Sequence, residues 1–125
     1  MSGYTDGFVI PIPKGKIEEY RKMAEAANEV WLEHGVLDYK ECIGEDLAAN
    51  KDCGSFPDSL GIKEDEVVIF AWISYKSREH RDEVNAKVMK DPRIAGMCES
   101  GEMPFDPTRM LYGGFEVFVS KDPVQ

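Results

Sequence analysis

After Glu66, the residues from Val67 to Ile73 form an unbroken apolar run, VVIFAWI. A short run rich in β-branched and aromatic residues is typical of a strand buried on both faces. Ser77 stands at an N-cap position, and Asp91 followed by Pro92 ends the helical pattern that comes after it. The segment Glu66–Asp91 is therefore predicted to be a central strand followed directly by a helix, which implies helices layered on a sheet.

The first third of the chain predicts another strand and an amphipathic helix. Residues 4–12 form the strand, in which Pro11 has no N–H to donate, so pairing on one side is expected to stop near its end. From about Lys16 to His34, apolar side chains recur along one stripe and charged ones lie opposite. Gly35 is the expected end of this helix.

Three segments complete the predicted elements. Residues 35–43 alternate between apolar and polar side chains, which favours an edge strand. A second helix is predicted over 78–90, and the last strand over 110–120. The stretches 44–65 and 92–109 are predicted to be long connections, and connections of that length are usually functional loops or partly disordered.

The element order β-α-β-β-α-β predicts an α+β, ferredoxin-like fold, with a four-stranded antiparallel sheet and two helices on one face. That arrangement leaves the second face of the sheet uncovered. The central strand and the last strand are nevertheless apolar on both sides, and a bare patch of that size exceeds what soluble monomers expose. The sequence therefore predicts a homodimer, a dimeric α+β barrel with sheet against sheet around a two-fold axis.

Length and composition predict one domain over residues 1–125, with a polar tail at 120–125. The net charge of −9 argues against nucleic-acid binding, which depends on basic residues that neutralise phosphates. No run approaches the ~20 apolar residues of a membrane span, and no signal peptide is recognised, so a cytoplasmic protein without membrane contact is expected. The three cysteines lack CxxC spacing and HExxH is absent, so neither a disulfide, a metal nor a cofactor is predicted.

The chain has two histidines, and one of them is the candidate catalytic group. His34 shares the apolar stripe of the first helix with Trp31 and precedes a strand that carries Asp38 and Tyr39. A histidine there could act as a general base near neutral pH. The alternative is a helix-terminal histidine favoured by the negative end of the helix dipole. His80, in the first turn of the second helix, is expected on the surface.

A pocket between the end of the first helix and the sheet would bind a flat, partly polar molecule. Its candidate ligand-binding residues are Trp31, Asp38, Tyr39, Trp72, Arg109 and Tyr112. Aromatic residues in strands more often belong to the core. Two function classes stay open: a cofactor-independent enzyme or binder of a small aromatic or carbonyl compound, and a non-catalytic homodimer that acts through protein contacts of its long acidic loop.

Four segments of the sequence resemble the uncharacterised bacterial domain-of-unknown-function family 1428: GFVIPIPKGKIEEYRKMA, HGVLDYKECIGED, RDEVNAKVMKDPR and MPFDPTRMLYGGFEVFV. The resemblance extends over nearly the whole chain. It implies membership of the dimeric α+β-barrel superfamily, in agreement with the pattern of elements. It implies no particular activity, because that superfamily includes cofactor-free quinone-forming monooxygenases, haem-degrading enzymes, lactone isomerases and proteins without known chemistry.

Overall fold

The computed structural model describes residues 3–48, 52–99 and 103–121. Helices and strands alternate along the chain in an α+β arrangement, with short 3₁₀ turns before the first helix and before the last strand. The elements are β1 (Tyr4–Pro13), α1 (Ile17–Glu33), β2 (Asp38–Ile43), α2 (Phe56–Leu60), β3 (Glu66–Tyr75), α3 (Arg78–Lys90), α4 (Pro92–Glu99) and β4 (Leu111–Glu116).

The four strands form one sheet in the order β2-β3-β1-β4, and each neighbouring pair is antiparallel. β3 is internal and β2 is at an edge, as their apolar and alternating patterns predict. β1 pairs with β3 as far as Pro13, but its pairing with β4 ends at Val9. The missing N–H of Pro11 explains why the ladder toward β4 stops two residues earlier, as expected from the sequence.

α1 ends where the sequence predicts, since Gly35 adopts a φ of 101° that disfavours residues with a side chain. Its buried residues are Tyr20, Ala24 and Val30, all on the predicted stripe. The small side chain of Ala24 allows the helix to approach the sheet closely. α1 thereby covers the sheet on the side of its edge strand β2.

α3 begins at Ser77, whose hydroxyl accepts a hydrogen bond from the backbone N–H of His80 at 3.1 Å. Satisfying a free N–H of the first turn in this way stabilises the start of a helix. The helix buries Val84 and Val88 completely, as the weak apolar stripe predicts. The cap at Ser77 therefore stabilises the start of α3, and the two buried valines pack the helix against the sheet.

The core lies between α1, α3 and α4 and one face of the sheet, and it has two parts. Both parts combine apolar side chains of the internal strands with those of the helices above them. The first contains Ile10, Ile12, Tyr20, Ala24, Ile69, Ala71 and Phe105. The second contains Val30, Val36, Ile73, Tyr75, Val84, Val88 and Ile94.

The opposite face of the sheet carries exposed apolar side chains. Phe70, Val9 and Leu111 stand opposite one another across β3, β1 and β4. Phe70 is 45% exposed, Leu111 55% and Phe115 62%. We call this surface the open face, and its apolar members are Val9, Phe70, Trp72, Leu111 and Phe115.

The two long connections contain helices that the sequence analysis did not predict. α2 has an N-cap at Ser55, which accepts from the Asp58 N–H, and ends at Gly61 in the left-handed region. α4 starts at Pro92, a residue that fits the first turn of a helix, and buries Ile94 in the core. Both helices have eight residues or fewer, which is too short for a periodic pattern to stand out.

The last strand is shorter than predicted: β4 ends at Glu116 and does not continue to Ser120. Its partner β1 begins at Tyr4, which is paired with Glu116. Val117 still donates its N–H to the carbonyl of Gly3, at 2.9 Å. β4 is therefore followed by one more backbone hydrogen bond, to the residue before β1, although the apolar pattern continues to Val119.

Candidate functional site

A groove with a volume of about 550 Å³ lies between α1 and β2 on the helix-covered side of the sheet. This volume is within the range of small-molecule sites, roughly 300–1,000 Å³. We call it the α1–β2 groove. Apolar side chains alternate along its wall with groups that can hydrogen-bond, among them Ile17, Tyr20, Asn28, Tyr39, Glu41 and Ile43.

The spacing of residues along both elements places these side chains together. Tyr20, Ala24 and Asn28 are four residues apart on α1 and share one face of the helix. Tyr39 and Glu41 are two residues apart on β2 and share one face of the strand. The Asn28 side chain donates to the carbonyl oxygen of Tyr39 at 3.0 Å, which holds the strand against the helix.

The most unusual group in the groove is the carboxylate of Glu41, because both of its oxygens accept hydrogen bonds from tyrosines. The Tyr20 hydroxyl donates to Oε1 at 2.7 Å. The Tyr39 hydroxyl donates to Oε2 at 2.9 Å. We call these three residues the Tyr20–Glu41–Tyr39 cluster, which joins α1 to the edge strand.

Burial changes the protonation chemistry of the cluster. It raises the pKa of the Glu41 carboxyl, because the charged form loses water, and the two tyrosine hydrogen bonds offset only part of that effect. Burial and the nearby charge of Glu41 raise the pKa of both Tyr20 and Tyr39, so the phenols stay protonated donors. A carboxyl whose pKa is raised in this way is suited to exchanging a proton with a bound compound.

Two of the predicted ligand-binding residues are found at or beside the groove. Tyr39 lines it. Trp31 packs against Tyr39 edge to face, with ring centroids 6.0 Å apart, and contributes to the second part of the core. The structure thus brings Trp31 and Tyr39 together, with Trp31 on the core side of the tyrosine.

Asp38 and Trp72 lie on the other side of the sheet. The indole N–H of Trp72 donates to Asp38 Oδ2 at 3.2 Å, and Lys40 also donates to this carboxylate. Strand alternation places Asp38 and Trp72 on the open face, because Tyr39 and Ile73 are paired on the helix-covered side. The sheet therefore separates this pair from the α1–β2 groove.

Arg109 and Tyr112 lie away from the groove as well. Arg109 donates to the carboxylate of Glu66 and, at 3.1 Å, to the carbonyl oxygen of Gly61, so it ties the 3₁₀ turn before β4 to the start of β3. The Tyr112 hydroxyl accepts from Arg81 at 2.8 Å. The six predicted ligand-binding residues are thus distributed over several places around the sheet.

Tyr112 belongs to a second polar cluster, which the sequence analysis did not identify. Asp6 is only 1% exposed and accepts from Arg81 Nη1 at 3.0 Å. The guanidinium of Arg81 also lies over the ring of Tyr4, 5.0 Å from its centroid. Burial raises the pKa of Asp6, an effect that the positive charge of Arg81 opposes. This cluster attaches α3 to β1 and β4.

The predicted catalytic group, His34, follows the end of α1. Its Nε2 atom lies 3.0 Å from Asp91 Oδ2, at the junction of α3 and α4. Arg93 donates to the same carboxylate and to Glu33, and the pKa of Asp91 is lowered by its hydrogen bonds from Arg93 and His34. This position agrees with the helix-terminal alternative. The catalytic role of His34 stays a prediction.

His80 makes a local contact. Its Nδ1 accepts the backbone N–H of Lys76 at 3.0 Å, while its own backbone N–H is capped by Ser77. The side chain thus bonds to the residue before the N-cap, while the cap satisfies a free N–H in the first turn of α3. His80 is in the first turn as predicted, but it is half-buried rather than on the surface, and its ring packs edge to face against Tyr75 with centroids 5.9 Å apart.

The residues that make the groove distinctive, Tyr20 and Glu41, were not among the candidates from the sequence. Tyr20 stands on the apolar stripe of α1, where a tyrosine is typical of a core. Glu41 shares its face of β2 with Tyr39 and Ile43, so a charged residue stands where alternation predicts an apolar one. That departure from the pattern was the available signal.

Two further properties concern metals and membranes. Within residues 3–48, 52–99 and 103–121, no three histidine, cysteine, aspartate or glutamate side chains are grouped closely enough to hold a metal ion. The same part of the chain contains no helix with the length and apolar character needed to cross a membrane.

Comparison with known proteins places the chain among relatives whose function is also open. It is 42% identical over 118 residues to the protein named "Uncharacterized protein YbaA" of Escherichia coli strain K12, covering 94% of this chain and 98% of the relative. The protein of the same name from Shigella flexneri shows the same identity and coverage. Residues 3–107 match the family described as "Protein of unknown function (DUF1428)". The chain belongs to this family.

Proposed function

We propose that this protein binds a small aromatic or carbonyl compound in the α1–β2 groove and exchanges a proton with it through Glu41, without a cofactor. The observation that carries the proposal is the Tyr20–Glu41–Tyr39 cluster, a carboxylate with two tyrosine donors inside a groove of about 550 Å³. Keeping a charged group partly buried costs stability, so its position calls for an explanation. A ligand-binding role accounts for its presence on an otherwise apolar face.

The proton exchange is a simple transfer. An acidic C–H or O–H of the bound compound gives its proton to a Glu41 oxygen, the electron pair stays on the compound, and the proton returns from the carboxyl when the compound is released or rearranged. The raised pKa of Glu41 makes it a stronger base than an exposed glutamate. Tyr20 and Tyr39 hold the carboxylate in place and can reorient toward a ligand oxygen.

The test is a screen of small aromatic and carbonyl compounds for those that raise the melting temperature, followed by calorimetric affinity measurements. Glu41→Gln is expected to lower the affinity for each compound found in the screen by at least about tenfold, because it removes a hydrogen bond to a charged group. Glu83→Gln, which changes an exposed glutamate on α3, is the matched control and should leave affinity unchanged. Equal binding to wild type and Glu41→Gln would remove the groove from the proposal.

The proposal includes assembly as a ferredoxin-like, dimeric α+β barrel. The β-α-β-β-α-β order of the main elements and the strand order β2-β3-β1-β4 support the ferredoxin-like part. The open face supports the dimer, since three of its large apolar side chains are each 45–62% exposed. A second copy placed sheet against sheet would cover this face and leave the α1–β2 groove, on the other side of the sheet, accessible.

A further inference from the structure

The charged side chains around the α1–β2 groove differ in whether they have partners. The two basic residues of the lining each lie beside a carboxylate that does not line the groove: Arg21 Nε is 3.2 Å from Glu18, and Lys40 donates to Asp38. Each of these two cations therefore already has a carboxylate partner before a ligand arrives. The groove does not present a free basic group among these lining residues.

The acidic residues that line the groove, in contrast, lack ion-pair partners among the described residues. Glu25 and Glu29 are exposed on α1 at the groove. Throughout the described ranges, neither makes an ion pair with a basic side chain within 4.0 Å. In the same described ranges, Glu41 inside the groove accepts hydrogen bonds from the neutral hydroxyls of Tyr20 and Tyr39 and from no basic side chain. Three carboxylates thus line the groove without a direct ion pair, whereas its two cations are each paired elsewhere.

The remaining wall suits an apolar ligand body. Ile17, Ile43 and Ile69 contribute aliphatic surface, and Tyr20 and Tyr39 contribute aromatic rings. Tyrosine rings attract cations through their π electrons. Carboxylates and aromatic rings beside an apolar wall are the features that recognise an ammonium group attached to a hydrocarbon.

We propose that the ligand of the α1–β2 groove is an organic cation: a protonated amine whose ammonium group pairs with Glu41 and whose aromatic body lies along the isoleucines. This inference rests on the proposed function, because it uses the same groove, and it narrows the class of ligand. The ammonium group donates to the lone pairs of Glu41 that the two tyrosines leave free. Glu25 and Glu29 at the rim attract the cation as it enters.

The argument depends on the cavity as well as on the charges. An exposed patch of acidic residues would attract any counterion weakly, since water and salt screen it. Glu41 is located inside a groove large enough for a small molecule, and its carboxylate is held by two hydrogen bonds. An ammonium group there would replace lost hydration with a charge-assisted hydrogen bond, which is stronger than a bond between neutral groups.

Three compounds with one skeleton test the inference: 2-phenylethylamine, 2-phenylethanol and 3-phenylpropionate, which carry a cationic, a neutral and an anionic group. Each is titrated at about pH 7 into ¹⁵N-labelled protein while the backbone amide signals are followed. We expect the amine to bind at least about tenfold more tightly than the alcohol, the acid to bind most weakly, and the shifted signals to lie in α1 and β2.

Two variants connect the preference to named carboxylates. Glu41→Gln should remove the preference for the amine over the alcohol, while Glu83→Gln should retain it. If Glu41→Gln does not fold, the double variant Glu25→Gln/Glu29→Gln replaces it, because it changes only exposed side chains. This variant should lower the affinity for the amine severalfold and leave the affinity for the alcohol unchanged.

The outcomes separate this inference from the proposed function. If the alcohol binds the groove as tightly as the amine, or the acid binds more tightly, the cation inference is wrong and the groove remains a binding site. If none of the three compounds shifts signals of α1 and β2, the cation inference is wrong, and the broader compound screen decides the proposed function. An amine preference that survives Glu41→Gln and the double variant also overturns the inference.

Discussion

Glu41 is a single residue whose charge conflicts with the partly buried, otherwise apolar position that it occupies. It occupies a face of β2 that alternation reserves for apolar side chains, and two tyrosine hydroxyls are its hydrogen-bond donors. Burial raises its pKa more than the hydrogen bonds from Tyr20 and Tyr39 lower it. The ionised form of Glu41 therefore reduces the stability of the folded chain.

This conflict predicts a pH dependence. The native state holds the Glu41 proton at pH values where the unfolded chain, with its ordinary pKa near 4.5, has lost it. Stability should therefore fall as pH rises from about 4.5 through the raised native pKa, and this loss should be absent in Glu41→Gln. Urea unfolding of the wild type and of Glu41→Gln at a series of pH values measures this loss of stability. The prediction is contradicted if the difference between their free energies of unfolding does not change with pH. Glu83→Gln is the control for the loss of one exposed carboxylate.

At the scale of an element, α3 shows how strongly one cap can matter. Its apolar stripe consists of Val84 and Val88, so its start depends on the bond from the His80 N–H to the Ser77 hydroxyl. Ser77→Ala should lower the free energy of unfolding by about 1 kcal/mol, within the 0.5–2 kcal/mol typical of N-caps. Chemical denaturation measures the change.

Ser77→Asn is the matched control, because asparagine caps a helix about as well as serine and should retain most of the stability. A second comparison is Ser55→Ala, which removes the cap of the five-residue α2. It should cost less, because α2 buries no residue. An equal loss in Ser77→Ala and Ser77→Asn would show that the hydroxyl's packing, rather than capping, is what matters.

The edge strand β2 gives a different lesson at the same scale. Its two faces have different chemistry: Tyr39 and Glu41 are on the helix-covered side in the α1–β2 groove, while Lys40, which also borders the groove, pairs with Asp38 of the open face. Alternation within the strand was readable from the sequence. The partners of each face come from elements that are distant in the chain, so alternation alone could not define a site.

For the whole molecule, the open face is the feature that a single chain leaves unexplained. The proposed dimer predicts a mass of about 28 kDa by light scattering, twice the 14.1 kDa of one chain. Leu111→Glu should shift this mass toward the monomer, because a charge would be placed between two apolar sheets. Leu111 is 55% exposed in one chain, so the folded monomer should tolerate the change.

Met89→Glu is the matched control for assembly. Met89 is 58% exposed but belongs to α3, on the side of the molecule away from the open face. The Met89→Glu variant should remain dimeric at the concentration where the Leu111→Glu variant dissociates. A wild-type mass near 14 kDa at micromolar concentration, or equal dissociation of both variants, would contradict an interface on the open face.

Sequence by itself determined the parts of this protein that depend on neighbouring residues. The stripe of α1, its end at Gly35, the cap at Ser77 and the apolar run of β3 are local patterns, since side chains three, four or two residues apart share a face. Pro11 likewise ended the pairing of β1 on one side through its own missing N–H. The α+β class and the four main strands followed from these signals.

Only the tertiary structure decided which side chains meet. Tyr20 and Glu41 are 21 residues apart, and His34 and Asp91 are 57 apart, so no local period relates them. Local periodicity also could not tell which face of β3 is buried by the helices, because both of its faces are apolar. α1, α3 and α4 pack on the face of Ile69, Ala71 and Ile73. Phe70 is on the open face, where the ring of Phe56 from α2 lies 6.4 Å from its own ring. Hydrophobicity drives burial without direction, and the packing of elements far apart in the chain decides which face becomes the core.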